Sequence, residues 1–170
     1  MIAITLAAIG AQPAFASPVD LVCPFAATAH FAPGVTLSPQ TVSITGVNSV
    51  GTSLSALTPC SSVLAGLPYL GGAGQISASG TLACIILGAG LTPTVSGTLV
   101  IPWNNGEMST ISYSILSVGP VPVFIASVTS GAMQGATVTV TPAPTGLTGN
   151  CLLSPVTSLS FAGVLVFSRL

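Results

Sequence analysis

Thr94-Val95-Ser96-Gly97-Thr98-Leu99-Val100-Ile101-Pro102-Trp103-Asn104-Asn105-Gly106-Glu107-Met108-Ser109-Thr110-Ile111-Ser112-Tyr113-Ser114-Ile115 reads as two strands around a tight turn. Asn-Gly supplies the positive φ angles that such turns need. A two-residue loop at Asn105-Gly106 pairs Trp103 with Met108 and sets Leu99 and Ile101 beside Ser112 and Thr110. A three-residue loop with Gly106 left-handed pairs Trp103 with Glu107 and Leu99 with Ile111 instead. It gathers Val95, Leu99, Ile101, Trp103, Ile111, Tyr113 and Ile115 on one face, and register follows the buried face. The three-residue loop is therefore expected.

The same pattern extends along the chain. Short runs rich in Val, Ile, Thr and Phe alternate with Gly, Pro and Asn at spacings of about 8–12 residues, an all-β signature. Strands are expected near Gln40–Thr45, Gln75–Ile85, Thr94–Trp103, Met108–Val118, Val121–Thr129, Ala136–Thr141 and Val156–Phe167. Ile76, Ala78, Leu82 and Cys84 form one inward set, and Leu159, Phe161, Leu165 and Phe167 another. Val164-Leu165-Val166-Phe167 is apolar on both faces, so the last strand lies centrally in a sheet or covers a partner surface. Leu67–Gly74 and Pro142–Asn150 read as loops from their Gly and Pro content. The expected fold is a single antiparallel β-sandwich or β-barrel.

Charge is nearly absent. Asp20, Glu107 and Arg169 are the charged side chains of 170 residues, and His30 is the lone imidazole; about a quarter is ordinary. Without Lys/Arg clusters there is no footprint for nucleic acid or anionic lipid. Half the residues are hydrophobic, yet past the N-terminus no run approaches the ~18 apolar residues of a spanning helix. The polarity comes from 21 Ser and 19 Thr.

Residues 1–16 read as a secretory signal. A short apolar run, Met1 to Ala11, is broken by Gln12-Pro13, and Ala14-Phe15-Ala16 precedes Ser17 as an A-x-A cleavage site. The basic residue that usually precedes the run is missing, as expected if translation starts upstream; the competing reading is a buried first strand or helix. Cleavage leaves Ser17–Leu170 as one secreted domain. Cys23, Cys60, Cys84 and Cys151 then meet an oxidising compartment. Of three pairings, Cys23–Cys60 with Cys84–Cys151 is favoured because sequential closure leaves no crossing. Zinc is disfavoured, since no CxxC pair accompanies His30. No metal or cofactor is expected.

The exported N-terminus, Cys23 followed by Phe31-Ala32-Pro33-Gly34-Val35-Thr36-Leu37-Ser38-Pro39, and Trp103-Asn104-Asn105-Gly106 with Ser109 carry a resemblance. Val128-Thr129-Ser130-Gly131-Ala132-Met133-Gln134-Gly135 and Cys151 with Pro155-Val156-Thr157-Ser158-Leu159 add to it. Over most of the mature part the chain resembles small secreted four-cysteine β proteins of actinobacteria, a group of uncharacterised activity. It differs in carrying almost none of their scattered charges. The resemblance implies export and an all-β domain, and lends no catalytic residues.

Catalysis finds little support. His30 with Asp20 or Glu107 and a serine supplies the residue types of a triad, but no Gly-x-Ser-x-Gly elbow occurs. Asp20 and Glu107 as a glycosidase pair is weaker, since both read as solvated surface charges. Gly71-Gly72-Ala73-Gly74 lacks the ending of a phosphate loop. Trp103 and Tyr113 are the candidate ligand contacts, with core packing the favoured role for Trp103. Outward positions such as Ser77, Ser79, Thr81, Thr137, Thr139 and Thr141 leave a neutral surface with few charges to guard sheet edges. The function expected is a secreted, non-enzymatic structural or interaction protein meeting itself or a cell-surface polymer. The alternative is an extracellular small-ligand or carbohydrate-binding module.

Overall fold

The computed structural model describes residues 19–51, 59–62, 67–85, 90–91, 94–118 and 121–169. Residues 1–16, expected to be a secretory signal, and the expected cleavage site lie outside them. Strands β1 (Val19–Val35), β2 (Gln40–Gly51), β3 (Ser61–Ser62), β4 (Gly71–Leu82), β5 (Cys84–Ile85), β6 (Gly90–Leu91) and β7 (Thr94–Pro102) are followed by β8 (Met108–Val118), β9 (Val121–Gly131), β10 (Thr137–Thr148) and β11 (Val156–Ser168). The sheet runs β11-β10-β9-β8-β7-β4-β2-β1, and β1 pairs with β11 to close it. The fold is therefore an eight-stranded antiparallel barrel rather than a sandwich, with β3 added beside β1 and a small β5–β6 ladder outside.

Closure depends on a strand that the sequence reading did not anticipate. β1 alternates strictly, burying Leu21, Cys23, Phe25, Ala27, Ala29 and Phe31, and pairs continuously with β11 from Leu21↔Phe167 to His30↔Ser158. Its alanines fit a crowded barrel interior, where small and large side chains alternate to fill the taper. The final strand lies between β10 and β1; Leu165 and Phe167 point into the barrel, whereas Val164 is exposed on the outer face.

The hairpin follows the expected register. Leu99 faces Ile111, the Trp103 N–H donates to the Glu107 carbonyl at 2.7 Å, and Gly106 takes φ 85°. Two segments read as loops are instead strands. Gly71–Gly74 pairs with Asn48–Gly51, because glycines without side chains show no alternation yet keep their ladder groups. Pro142–Thr148 continues β10 against β11.

Both disulfides form as favoured, Cys23–Cys60 and Cys84–Cys151. The first lies at what we call the lower end, with the β7–β8 hairpin, and the second at the upper end, where β10 turns into β11. The lower end is plugged by Trp103, whose ring packs 5.1 Å from Tyr69 and 6.0 Å from Phe167. Leu21, Met133 and Ala136 are buried in the same cluster. Burying a ring such as Phe167 completely contributes about 1.5–3 kcal/mol.

Candidate functional site

Above this plug the barrel is hollow. A cavity of about 900 Å³ runs up the interior between the inward faces of the strands. Phe25, Ile76 and Leu165 lie among its lower walls, and Phe31, Leu82 and Val95 higher up. It exists because the inward positions at mid-height carry small residues. Ala27 and Ala29 on β1, Ala78 on β4 and Ala126 on β9 are all buried, and the closed wall cannot collapse around them. Protein interiors rarely hold voids larger than a water molecule, so a space of this size is a feature of the fold.

The mouth faces the upper end. Leu37, Leu147 and Leu152 line the cavity and are also exposed. Beside them the wall is incomplete, since among the described residues β10 meets β9 only at Thr137↔Ser127 and Val138↔Ala126. Pro142 and Pro144 lie farther up β10 and line the cavity. Proline has no N–H to donate to a ladder. The Thr141 carbonyl lies toward Gly163 of β11, so the alternate positions 142 and 144 fall on the β9 side and the pairing there ends. Cys151, bonded to Cys84, lies on the rim. Its loop is held by Asn150, whose Oδ1 accepts from the N–H groups of Leu153 and Ser154 at 2.8 and 3.2 Å.

No charged side chain is among those lining the cavity; among the described residues its polar side chains are Asn48, Tyr113 and, at the rim, Asn150. Burial pushes the Tyr113 hydroxyl up to about 12, so it stays neutral at physiological pH. Asn48 is 2% exposed and sits on the inward face of β2 between Ala27 and Gly74. Its Nδ2 donates to the Val100 carbonyl at 3.4 Å. Gly74 permits that reach, since a Cβ there would stand 1.7 Å from the same oxygen. Asn48 Oδ1 is buried with no hydrogen-bond partner, and leaving such a group unpaired costs roughly 1–3 kcal/mol.

Compared with known proteins, the chain matches no family model, no curated protein and no solved structure. The reading of this site therefore rests on its own chemistry.

Of the two residues singled out for ligand contact, Tyr113 lines the cavity and Trp103 does not. Trp103 is 3% exposed within the plug, and its Nε1 donates to Ser109 Oγ at 2.7 Å. His30, Asp20 and Glu107 are not brought together. His30 is on the outer face of β1, and Glu107 is exposed at the hairpin, accepting from Asn105 Nδ2 at 2.7 Å. Asp20 corrects the expectation of a solvated charge: it is 2% exposed and paired to Arg169. Among the described residues no cluster of three or more His, Cys, Asp or Glu stands ready for a metal, and no helix is long and apolar enough to cross a membrane.

Asn48 was missed by sequence reading because the expected strand ended at Thr45. The signal was present: continuing the alternation Val42, Ile44, Gly46, Asn48, Val50 places an amide on the inward phase.

Proposed function

We propose that the protein is an exported, non-enzymatic binding module that holds a small apolar molecule inside its barrel. The cavity carries this reading: at about 900 Å³, with a largely apolar lining, it falls in the range of ~300–1,000 Å³ used by small-molecule sites. Two disulfides and the signal-like residues 1–16 support export. The lack of charge in the lining favours storage or transport over acid–base chemistry, which needs a titrating group beside the ligand. Titration of the oxidised protein with the neutral fluorophore N-phenyl-1-naphthylamine tests it. Saturable enhancement at one probe per chain is expected; a flat titration of the folded protein overturns the reading.

Contact with copies of itself or a neutral cell-surface polymer is a second reading, supported by the exterior. Ser77, Ser79 and Thr81 on β4, with Thr137, Thr139 and Thr141 on β10, present exposed hydroxyl rows without charges to repel a like surface. Sedimentation at rising concentration tests it, and a monomer throughout counts against self-contact.

A further inference from the structure

Resting on the cavity reading, the position of Asn48 narrows the ligand to a chemical class. Its carboxamide is the most deeply buried polar side chain of the lining, and only one end is used: Nδ2 holds the Val100 carbonyl while Oδ1 has no partner. The free end is an acceptor. The residues directly opposite Asn48 on the neighbouring strands, Ala27 and Gly74, bring no side-chain donor to it. Asn48 lines the cavity while its Oδ1 is already shut away from water without a partner, a cost that a pure hydrocarbon would leave in place. A ligand bringing its own hydroxyl or amide N–H would satisfy it. No Lys, Arg or His lines the cavity, so a carboxylate would enter without a counter-charge and would also face Oδ1 with like polarity.

We propose that Asn48 Oδ1 is the acceptor for a single hydrogen-bond donor on an uncharged, chain-like amphiphile, with a long-chain alcohol as the type compound. The alkyl chain lies along the wall formed by Ala29, Ile76, Leu99 and Tyr113, and the hydroxyl reaches down to Asn48. Recognition is therefore by donor count and neutrality, with the apolar wall tolerant of chain detail.

The test is displacement of N-phenyl-1-naphthylamine by three probes of similar length: dodecan-1-ol, 1-methoxyundecane and dodecanoate at pH 8. The ether has as many heavy atoms as the alcohol and is more apolar, so without a receiving acceptor it binds at least as well. Dodecan-1-ol is expected to bind at least tenfold more tightly than the ether, with dodecanoate weakest. Asn48→Leu, matched in size, is expected to bring alcohol and ether within about twofold. The comparison on the unaltered protein stands even where that variant fails to fold. Ether equal to alcohol, or dodecanoate tightest, overturns the assignment while leaving the binding module intact. So does bound fluorophore that none of the three displaces. A protein that binds neither fluorophore nor amphiphile overturns both.

Discussion

One carboxylate oxygen of Asp20 holds Arg169 twice: Oδ2 accepts from the guanidinium Nε and from the backbone N–H, each at 2.9 Å. The two residues are 149 positions apart, and their bond fastens the start of β1 to the end of β11 at the plugged end. A buried acid is tolerated here because its charge is met by both donors. Hydrogen bonds to charged groups contribute about 1.5–3 kcal/mol, so Asp20→Ala should lower unfolding free energy in urea by about 2–3 kcal/mol. Arg169→Ala should cost less, about 1 kcal/mol, since the backbone N–H remains and the guanidinium is half-exposed. Equal losses would show that the side-chain pair alone matters.

Ser109 completes the plug. It is fully buried, receives Trp103 Nε1 at 2.7 Å and donates to the Ala132 carbonyl at 2.6 Å. Ser109→Ala strands an indole N–H and a carbonyl together, and should cost roughly 2 kcal/mol. The altered Trp103 environment should shift its fluorescence emission. An unchanged spectrum with unchanged stability would remove Ser109 from this role.

The two disulfides constrain different ends. Cys23–Cys60 closes 37 residues and Cys84–Cys151 closes 67, and in the chain-entropy model each contributes about 4 kcal/mol. Replacing either pair by serines should lower the thermal midpoint strongly. Only loss of Cys84–Cys151, at the rim, should also weaken uptake of the fluorophore beyond what stability explains. Non-reducing peptide mapping should recover these two pairs and no others.

Tyr113 gives a dependence on alkaline pH. Burial raises its folded-state pKa to about 12 from 10.0, so the unfolded chain ionises first. Stability from this group is complete below pH 10 and is lost as pH rises toward 12, by about 2–3 kcal/mol. Urea titrations between pH 9 and 12 should show the fall, and Tyr113→Phe should flatten most of it. Tyr69, also raised by burial and by Glu107, accounts for a residual slope. The same fall in the Phe variant would refute the assignment.

Filling the cavity should separate binding from folding. Ala29→Phe directs a ring into empty space, so affinity for the fluorophore should drop at least tenfold while stability changes by no more than about 1 kcal/mol. Retained affinity would place the bound probe elsewhere.

Where side chains report their own environment, the fold was legible. The Trp103–Glu107 turn and the inward set from Val95 to Ile115 emerged with correct register because turn chemistry and burial agree there. β1 was hidden by Pro24 and by Ala26, Ala27 and Ala29, which have weak strand preference yet are the small residues that a hollow barrel requires. Pro142 and Pro144 looked like a loop because their missing N–H groups matter only on the β9 side. Barrel and sandwich could not be distinguished without β1, since closure is the β1–β11 pairing. The cavity was invisible for a related reason: it is made by what those alanines lack.

That same pairing of β1 with β11, Cys23 opposite Leu165, makes this a fold of high contact order. Residues nearest the N-terminus wait for almost the whole chain before acquiring half of their ladder partners, so folding should be slow, in the millisecond-to-second range of non-local β topologies. Until β11 arrives the nascent meander carries two raw margins and an uncovered greasy lining, the condition in which β chains aggregate.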